Sequence, residues 1–351
     1  MKQLKIMAVS LLLLLPVALS PWVSVDAQAQ AEFYKGKTIR IVVGFTPAGF
    51  YDRWARMVAR YIGKYIPGNP EIIVQNMPGA GSVVATNYVY SVAKPDGLIL
   101  GMPSASIYQD QLVGRKEVQF DVRKFHWIGT QDKRHMVFYM RADAPYQSIG
   151  DVIKSKEAPK CGATGTASTD YMLARVVEET LGGKINTVLG YPGGAEIDIA
   201  VERGEVICRL MSIDPYFGRE PFIGWRKKGF VRLLLQTAKT RDPRAPDVPS
   251  IHELMDQYKT PEISRRFAHV MLAASEFGSP LFLPPGTPSE RVKMLRAAHV
   301  KAMKDPELVA EAAKGRLEMG PSTGEELDAL TKEVMDQPPQ VIDRVKRILA
   351  N

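Results

Sequence analysis

The chain has 351 residues, of which 45% are hydrophobic, 24% charged and 8% aromatic, a globular composition with length enough for two domains. This mixture excludes a disordered, fibrous or coiled-coil protein, and two cysteines exclude a disulfide scaffold or a Cys-rich zinc module. The formal charge of +8 arises from 46 basic against 38 acidic residues with no basic stripe, so it favours small anions weakly and does not imply nucleic acid.

Lys2 and Lys5 precede an apolar run from Ile6 to Leu19 that is broken at Pro16. Ala27-Gln28-Ala29-Gln30-Ala31 then supplies two overlapping small-x-small cleavage sites, so residues 1–31 read as a secretory signal peptide. The run is short for a membrane anchor, which needs ~20 apolar residues. Cleavage removes Lys2, Lys5 and Asp26 and leaves a net charge of about +7. The mature chain is expected to be exported and soluble. Export also bears on the cysteines, because disulfides persist in oxidising compartments. Cys161 and Cys208 both fall in runs that read as strands. Neighbouring strands would let them bridge; otherwise they are two small buried hydrophobes.

In chain order, Thr38–Gly44 (TIRIVVG) predicts a buried strand. Asp52–Ile66 carries apolar residues at helical spacing and is stopped by Pro67-Gly68-Asn69-Pro70. A strand is expected over Glu71–Gln75, a helix over Ser82–Ala93 and a strand over Leu98–Met102. The pattern restarts with strands at His135–Met140 and Lys160–Ala163, a helix over Thr169–Leu181, and a strand at Ile185–Leu189. A helix ending at Arg203 and strands at Glu205–Met211 and Val231–Gln236 follow. The tail predicts helices over Ser289–Met303, from Asp305-Pro306, and over Glu325–Leu349, the last interrupted at Pro338-Pro339. Strands alternating with helices through short loops imply an α/β fold, with a mostly parallel, doubly wound sheet in each of two lobes and helices on both faces. Residues 32–135 plus 237–351 are assigned to one lobe and 136–236 to the other, with two crossings between them.

Ligands in such sheets bind beyond the carboxyl ends of the strands. The loops there are Pro47–Asp52, Asn76–Ser82, Pro103–Tyr108, Thr164–Thr169, Tyr191–Ala195 and Ser212–Tyr216. Several are small, Gly-rich and run into helices, whose N-termini suit a carboxylate. These features predict a cleft for a small anion between the lobes.

Several segments, spread in order along the mature chain, resemble the solute-receptor family of tripartite tricarboxylate transporters, the Bug receptors. They include Phe33–Arg40, Pro47–Arg56 (PAGFYDRWAR), Val74–Gly81 (VQNMPGAG) and Ala93–Leu100 (AKPDGLIL). Thr240–Pro243, Pro246–Ser250 and Pro284–Pro288 complete the set. The resemblance implies a two-lobed periplasmic binding protein of type II character that closes on a carboxylate. It implies delivery to a two-component membrane permease, and no cofactor or ATPase. A monomer is expected. One departure is Phe50 followed by Tyr51, where the family usually has a second Gly. Bulky rings there would narrow the site or stack on an aromatic acid, and Phe50 would resist a positive φ. The stretch Gln131–Tyr139 also departs from the commoner pattern.

The candidate ligand-binding residues are therefore Ala48, Gly49, Phe50, Tyr51, Asp52, Gly79, Ser104, Ser106, Gly165, Thr166, Ala167, Ser168 and Asp214. Asp52 reads most simply as a helix N-cap, or else as a partner for a ligand hydroxyl or amine. Asp214 reads as a helix cap or as a selector for an amino group, since an unpaired carboxylate would repel a dicarboxylate. Ser104, Ser106, Thr166 and Ser168 are carboxylate donors or ordinary caps. Arg209 is a possible bidentate carboxylate partner, although mid-strand it more often meets solvent or an acid. Tyr108, Tyr139, Tyr171 and Tyr216 are wall candidates or core. The five histidines form no metal spacing. Gly79-Ala80-Gly81 lacks the third glycine of a dinucleotide loop. An exported hydrolase on the same fold is an alternative, but no G-x-S-x-G elbow is present. A ligand-presenting sensor subunit is a second alternative.

Overall fold

A computed structural model describes residues 32–166 and 168–349. The signal-peptide assignment over 1–31 and the site assignment of Ala167 lie outside the described residues. The strands are β1 (Thr38–Val43), β2 (Glu71–Asn76), β3 (Ile99–Met102), β4 (His126–Thr130), β5 (Met136–Arg141) and β6 (Lys160–Gly162). They continue with β7 (Asn186–Val188), β8 (Cys208–Ser212), β9 (Val231–Gln236), β10 (Leu281–Leu283) and β11 (Ser322–Thr323). The helices are α1 (Phe50–Ile62), α2 (Val83–Ser91), α3 (Ile107–Leu112), α4 (Ile149–Lys154), α5 (Thr169–Leu181), α6 (Gly194–Arg203) and α7 (Ile213–Gly218). They continue with α8 (Phe222–Lys227), α9 (Ile251–Gln257), α10 (Glu262–Phe277), α11 (Ser289–Ala302), α12 (Pro306–Lys314), α13 (Gly324–Met335) and α14 (Pro339–Leu349).

The strands form two sheets, ordered β11-β4-β10-β3-β1-β2 and β7-β6-β8-β5-β9. In the first, β10 runs antiparallel to both β3 and β4, and β11 antiparallel to β4. In the second, β5 runs antiparallel to β8 and β9. The remaining strands of each sheet share one direction. The two sheets therefore have one plan: two parallel neighbours lead to a third strand, then to the single strand that has just arrived from the other sheet, then to a fourth.

Side chains alternate as β-pleating requires. Ile39, Ile41 and Val43 of β1 join Leu281 and Leu283 of β10 in a core under α1, α11 and α12. Val42 and Phe282 point the other way, into a second core. Gly101 makes that approach possible, since a Cβ there would lie 2.1 Å from the Phe282 ring. The second core is shared between the sheets. It contains Trp127 and Phe282 of the first sheet, Phe138, Leu210 and Leu235 of the second, and Phe267, Val270 and Phe277 of α10. A third core holds Val137 and Tyr139 of β5 against Phe222 and Trp225 of α8.

The chain crosses from β4 to β5 through residues 131–135 and returns through 237–250. The two crossings are bonded to each other: Met136 N donates to Thr237 Oγ1 (2.8 Å) and Thr237 N to Met136 O (2.9 Å). The stretch 251–277 touches both lobes. Helix α10 packs on α5 of the second sheet and on α13 and α14, and Thr260 Oγ1 donates to Thr180 O at 2.6 Å. Cys161 of β6 and Cys208 of β8 are direct partners across the parallel ladder and form a disulfide, with Cα atoms 4.4 Å apart. The bridge, rather than two separate buried thiols, is the arrangement that forms.

Candidate functional site

The loops beyond β1, β2 and β3 are tied into one unit. Asp52 is the hub. It is buried, and its carboxylate accepts from Ala48 N (2.8 Å), Asn76 Nδ2 (2.9 Å) and Arg56 Nε (2.9 Å). Burial alone would raise its pKa, but these three hydrogen bonds outweigh it and hold the carboxyl below its usual range. The helix N-cap is Gly49, so Asp52 is a first-turn residue facing inward and not the cap. Its oxygens accept from neighbouring donors of the same lobe. Tyr51 stacks on Phe45 at 4.2 Å and its hydroxyl accepts from Ala105 N at 3.0 Å, joining the first loop to the third. Ser82 Oγ accepts from Ser104 N at 2.9 Å, and Ser104 Oγ lies 3.0 Å from Ser106 Oγ. The turn that contains Gly79 and leads to Ser82 has φ of 148°, 46°, 64° and 84°, which permits this approach. In the first loop the positive φ falls on Ala48 (65°), not on Phe50, which is already helical.

A cleft of about 680 Å³ opens between the lobes. Phe50, Arg316 and Glu318 line it from the first lobe, and Lys133 and Arg134 from the first crossing. Ser212, Asp214 and Arg219 line it from the second lobe. Arg134 is the central feature. Its guanidinium lies 4.5 Å from the Phe50 ring centre and 4.7 Å from that of Tyr51. It donates to Asp132 Oδ2 (2.8 Å), Gly278 O (2.8 Å) and Ser279 Oγ (2.9 Å). Gly278, at φ 58°, could not carry a side chain, since a Cβ would meet Asp132 O at 1.8 Å. Burial opposes the Arg134 charge, but Tyr51 and Asp132 outweigh it and raise its pKa further. The result is a fixed cation at the crossing, framed by two rings.

Of the sequence-predicted residues, Phe50 and Asp214 line this cleft, and Ala48 and Gly49 adjoin Phe50 in the chain. Tyr51 stands behind Phe50, supporting Arg134. Ser104, Ser106 and Gly79 belong to the tied loop unit rather than to the lining of this cleft. Gly165, Thr166 and Ser168 stand where β6 runs into α5, and Ser168 is the helix cap, its Oγ accepting from Tyr171 N at 3.2 Å. Asp214 is neither a simple cap nor unpaired: it is 3.2 Å from Arg244 Nη2. Tyr108, Tyr139 and Tyr216 are core residues. Arg209 is enclosed within the second lobe by Asp198 (2.8 Å), Asp170 (3.4 Å) and Gly194 O (3.0 Å), so its acidic partners are internal. Sequence reading did not single out Lys133, Arg134, Arg219, Arg316 or Glu318. The available signal was the unusual QDKRH stretch, which proves to be the first crossing.

The description "Tripartite tricarboxylate transporter family receptor" matches residues 55–346. The chain belongs to this receptor family. A receptor-family relative from Cupriavidus necator, described as a UPF0065 protein in the gbd 5′ region, is 26% identical over 327 residues and covers 92% of this chain and 91% of its own. A TctC solute binding protein from Polaromonas superposes with a TM-score of 0.71 at 20% identity, covering 90% of this chain and 99% of that one. An R. palustris protein with adipate superposes with a TM-score of 0.55 at 18% identity, covering 90% and 97%. The two-lobed receptor fold is thus shared. Among the described residues, no helix is long and apolar enough to cross a membrane and no cluster of three or more His, Cys, Asp or Glu could hold a metal.

Proposed function

We propose that this receptor captures a small organic carboxylate between its lobes in the periplasm and delivers it to a two-component membrane permease. The observation that carries the reading is Arg134, a half-buried cation held by Asp132, Gly278 and Ser279 at the crossing, with its ring-framed face at a cleft of about 680 Å³. A carboxylate placed there gains a charge-assisted hydrogen bond in a partly desolvated site. Arg219 and Arg316 add positive charge from opposite sides, so an anion favours approach of the lobes. Saturable binding without turnover is expected of a member of this receptor family. The adipate bound to the R. palustris protein supports testing dicarboxylates first. Phe50 gives a reason to test aromatic acids beside them.

The test is a thermal-shift screen of the chain from residue 32 against C4 to C8 dicarboxylates, tricarboxylates, amino acids and benzoate- and phthalate-type acids. A ligand at 100 times its Kd stabilises by about 2.7 kcal/mol, a midpoint rise of roughly 5 °C. A selective rise with one carboxylate class is the expected result. No rise with any acid would overturn the carboxylate reading. Copurification with the permease pair, enhanced by that acid, tests delivery.

A further inference from the structure

Beside the cleft, three carboxylates from three parts of the chain meet one guanidinium. Asp242, two residues before Arg244 on the return crossing, fixes it from both sides, with Nε to Oδ1 at 2.9 Å and Nη2 to Oδ2 at 2.7 Å. That leaves Nη1 free to reach both oxygens of Glu318, at 2.7 and 2.8 Å. Nη2 also reaches Asp214 Oδ1 at 3.2 Å. Asp214 and Glu318 thus meet at one guanidinium. Arg244 further lies over the Phe217 ring at 4.9 Å. Glu318 follows Leu317, which is buried in the first lobe's core under α1 and α12. Asp214 belongs to α7, in the second lobe, and both carboxylates line the cleft. We propose that Arg244 is a positioning residue for closure, a proton-sensitive latch that joins Asp214 of the second lobe to Glu318 of the first. The inference needs only the two-lobed cleft, so it stands or falls independently of which solute is bound.

The charge balance makes the latch sensitive to protons. One guanidinium faces three carboxylates, and the site is partly withdrawn from water. Burial, followed by the neighbouring Glu318 carboxyl, pushes the Asp214 carboxyl up to about 7, with Arg244 pulling against them. Below that pH the protonated Asp214 donates to Glu318 and the assembly is satisfied. Above it, two carboxylates face each other across the cleft. A carboxyl whose pKa is raised in the joined arrangement favours that arrangement at low pH, and the advantage fades as pH climbs through 7. Other charges face the site. His135 on the first crossing feels Asp242 and Arg244, Lys133 and Arg134 line the same cleft, and Arg219 and Arg316 flank Asp214 and Glu318. Protonation of His135 would add positive charge beside Arg244, the opposite tendency to that of Asp214.

The experiment is small-angle scattering of the chain from residue 32, without added solute, at pH 6 and pH 8. A compact chain of this length has a radius of gyration of about 20 Å. With a proton held near 7, the closed-to-open ratio falls roughly tenfold between these pH values, and the radius rises. Asp214→Asn, which keeps the shape of the protonated acid, should stay compact at both. Arg244→Ala should be expanded at both, and Arg244→Lys should restore part of the compaction. Far-UV circular dichroism checks that each variant folds. Should Arg244→Ala not fold, Asp214→Asn decides alone. A wild-type radius that does not change with pH, or a pH response that survives in Asp214→Asn, overturns the proposal, the latter pointing to the histidines of the crossings.

Discussion

Arg134 and Arg209 occupy opposite situations in one molecule. Both are drawn away from water, and both bind acids. Arg209 is in the middle of β8, where Asp170 of α5 and Asp198 of α6 close over it. Burial pushes both of those carboxyls up while Arg209 pulls them down, and Tyr139 Oη donates to Asp198 at 3.4 Å. The cluster is complete within one lobe. Arg134 is on the crossing, has one carboxylate partner in Asp132, and turns its remaining face to rings at the edge of the cleft. The difference is one of charge balance. An arginine enclosed by two acids of its own lobe holds structure, whereas the proposed function gives the one at the cleft edge, with a single acidic partner, the task of attracting an anion.

The contrast is testable, with the largest effect expected at Arg209. Arg209→Ala leaves Asp170 buried without its cation and Asp198 with only Arg219, at 3.6 Å, and should cost about 3 kcal/mol or more in denaturant unfolding. Solute affinity, measured where the variant is still folded, should be nearly unchanged. If affinity falls as much as stability, the two arginines are not distinct in role. Next is the Cys161–Cys208 bridge, whose closure spans a sequence separation of 47 residues. Its reduction should cost roughly 3–4 kcal/mol by chain entropy, read as a lower melting midpoint in reductant. An unchanged midpoint would show that the β6–β8 pairing is held by packing alone.

Arg134→Ala should weaken carboxylate binding by about 10- to 100-fold, with a smaller loss of stability. Arg134→Lys should recover only part, because an ammonium lacks the planar, multiply donating guanidinium that meets Phe50, Tyr51, Asp132 and Gly278 together. Isothermal titration with the acid found in the screen would measure both. Phe50→Ala is the mildest change. Phe50 is 40% exposed, so stability should move by about 0.5 kcal/mol or less. Binding of an aromatic acid should nevertheless fall several-fold relative to an aliphatic one. Equal loss for both would remove Phe50 as a selector.

Local periodicity made most of the elements readable. The expected strand at His135–Met140 is found at Met136–Arg141, and the helix expected over Ser289–Met303 ends at Ala302. Asp305 caps α12, its carboxylate accepting from Glu307 N at 2.9 Å, and Pro339 opens α14 after a break, as proline chemistry requires. Strand β10 was not readable. Leu281–Leu283 is three residues long and carries no periodic signal, yet it pairs with both β3 and β4 and completes the first sheet. The crossing QDKRH looked odd in sequence, but nothing local could say that its cation would meet the Phe50 ring.

Burial pattern, caps, turns and the ordered motifs of the receptor family follow from short-range chemistry, and these were encoded within windows of a few residues. Partners far apart in the chain were not. Asp52 could be read as the helix cap until the fold made Gly49 the cap and tied the Asp52 carboxylate to Asn76 and Arg56. Cys161 and Cys208 could be read as apart or joined until β6 and β8 became neighbours. Asp214, Arg244 and Glu318 lie in three separate segments, and their meeting depends on how the lobes approach. Hydrogen bonds and ion pairs act over a few ångströms, so which of many compatible acids and bases pair is chosen when folding brings the segments together, and not before.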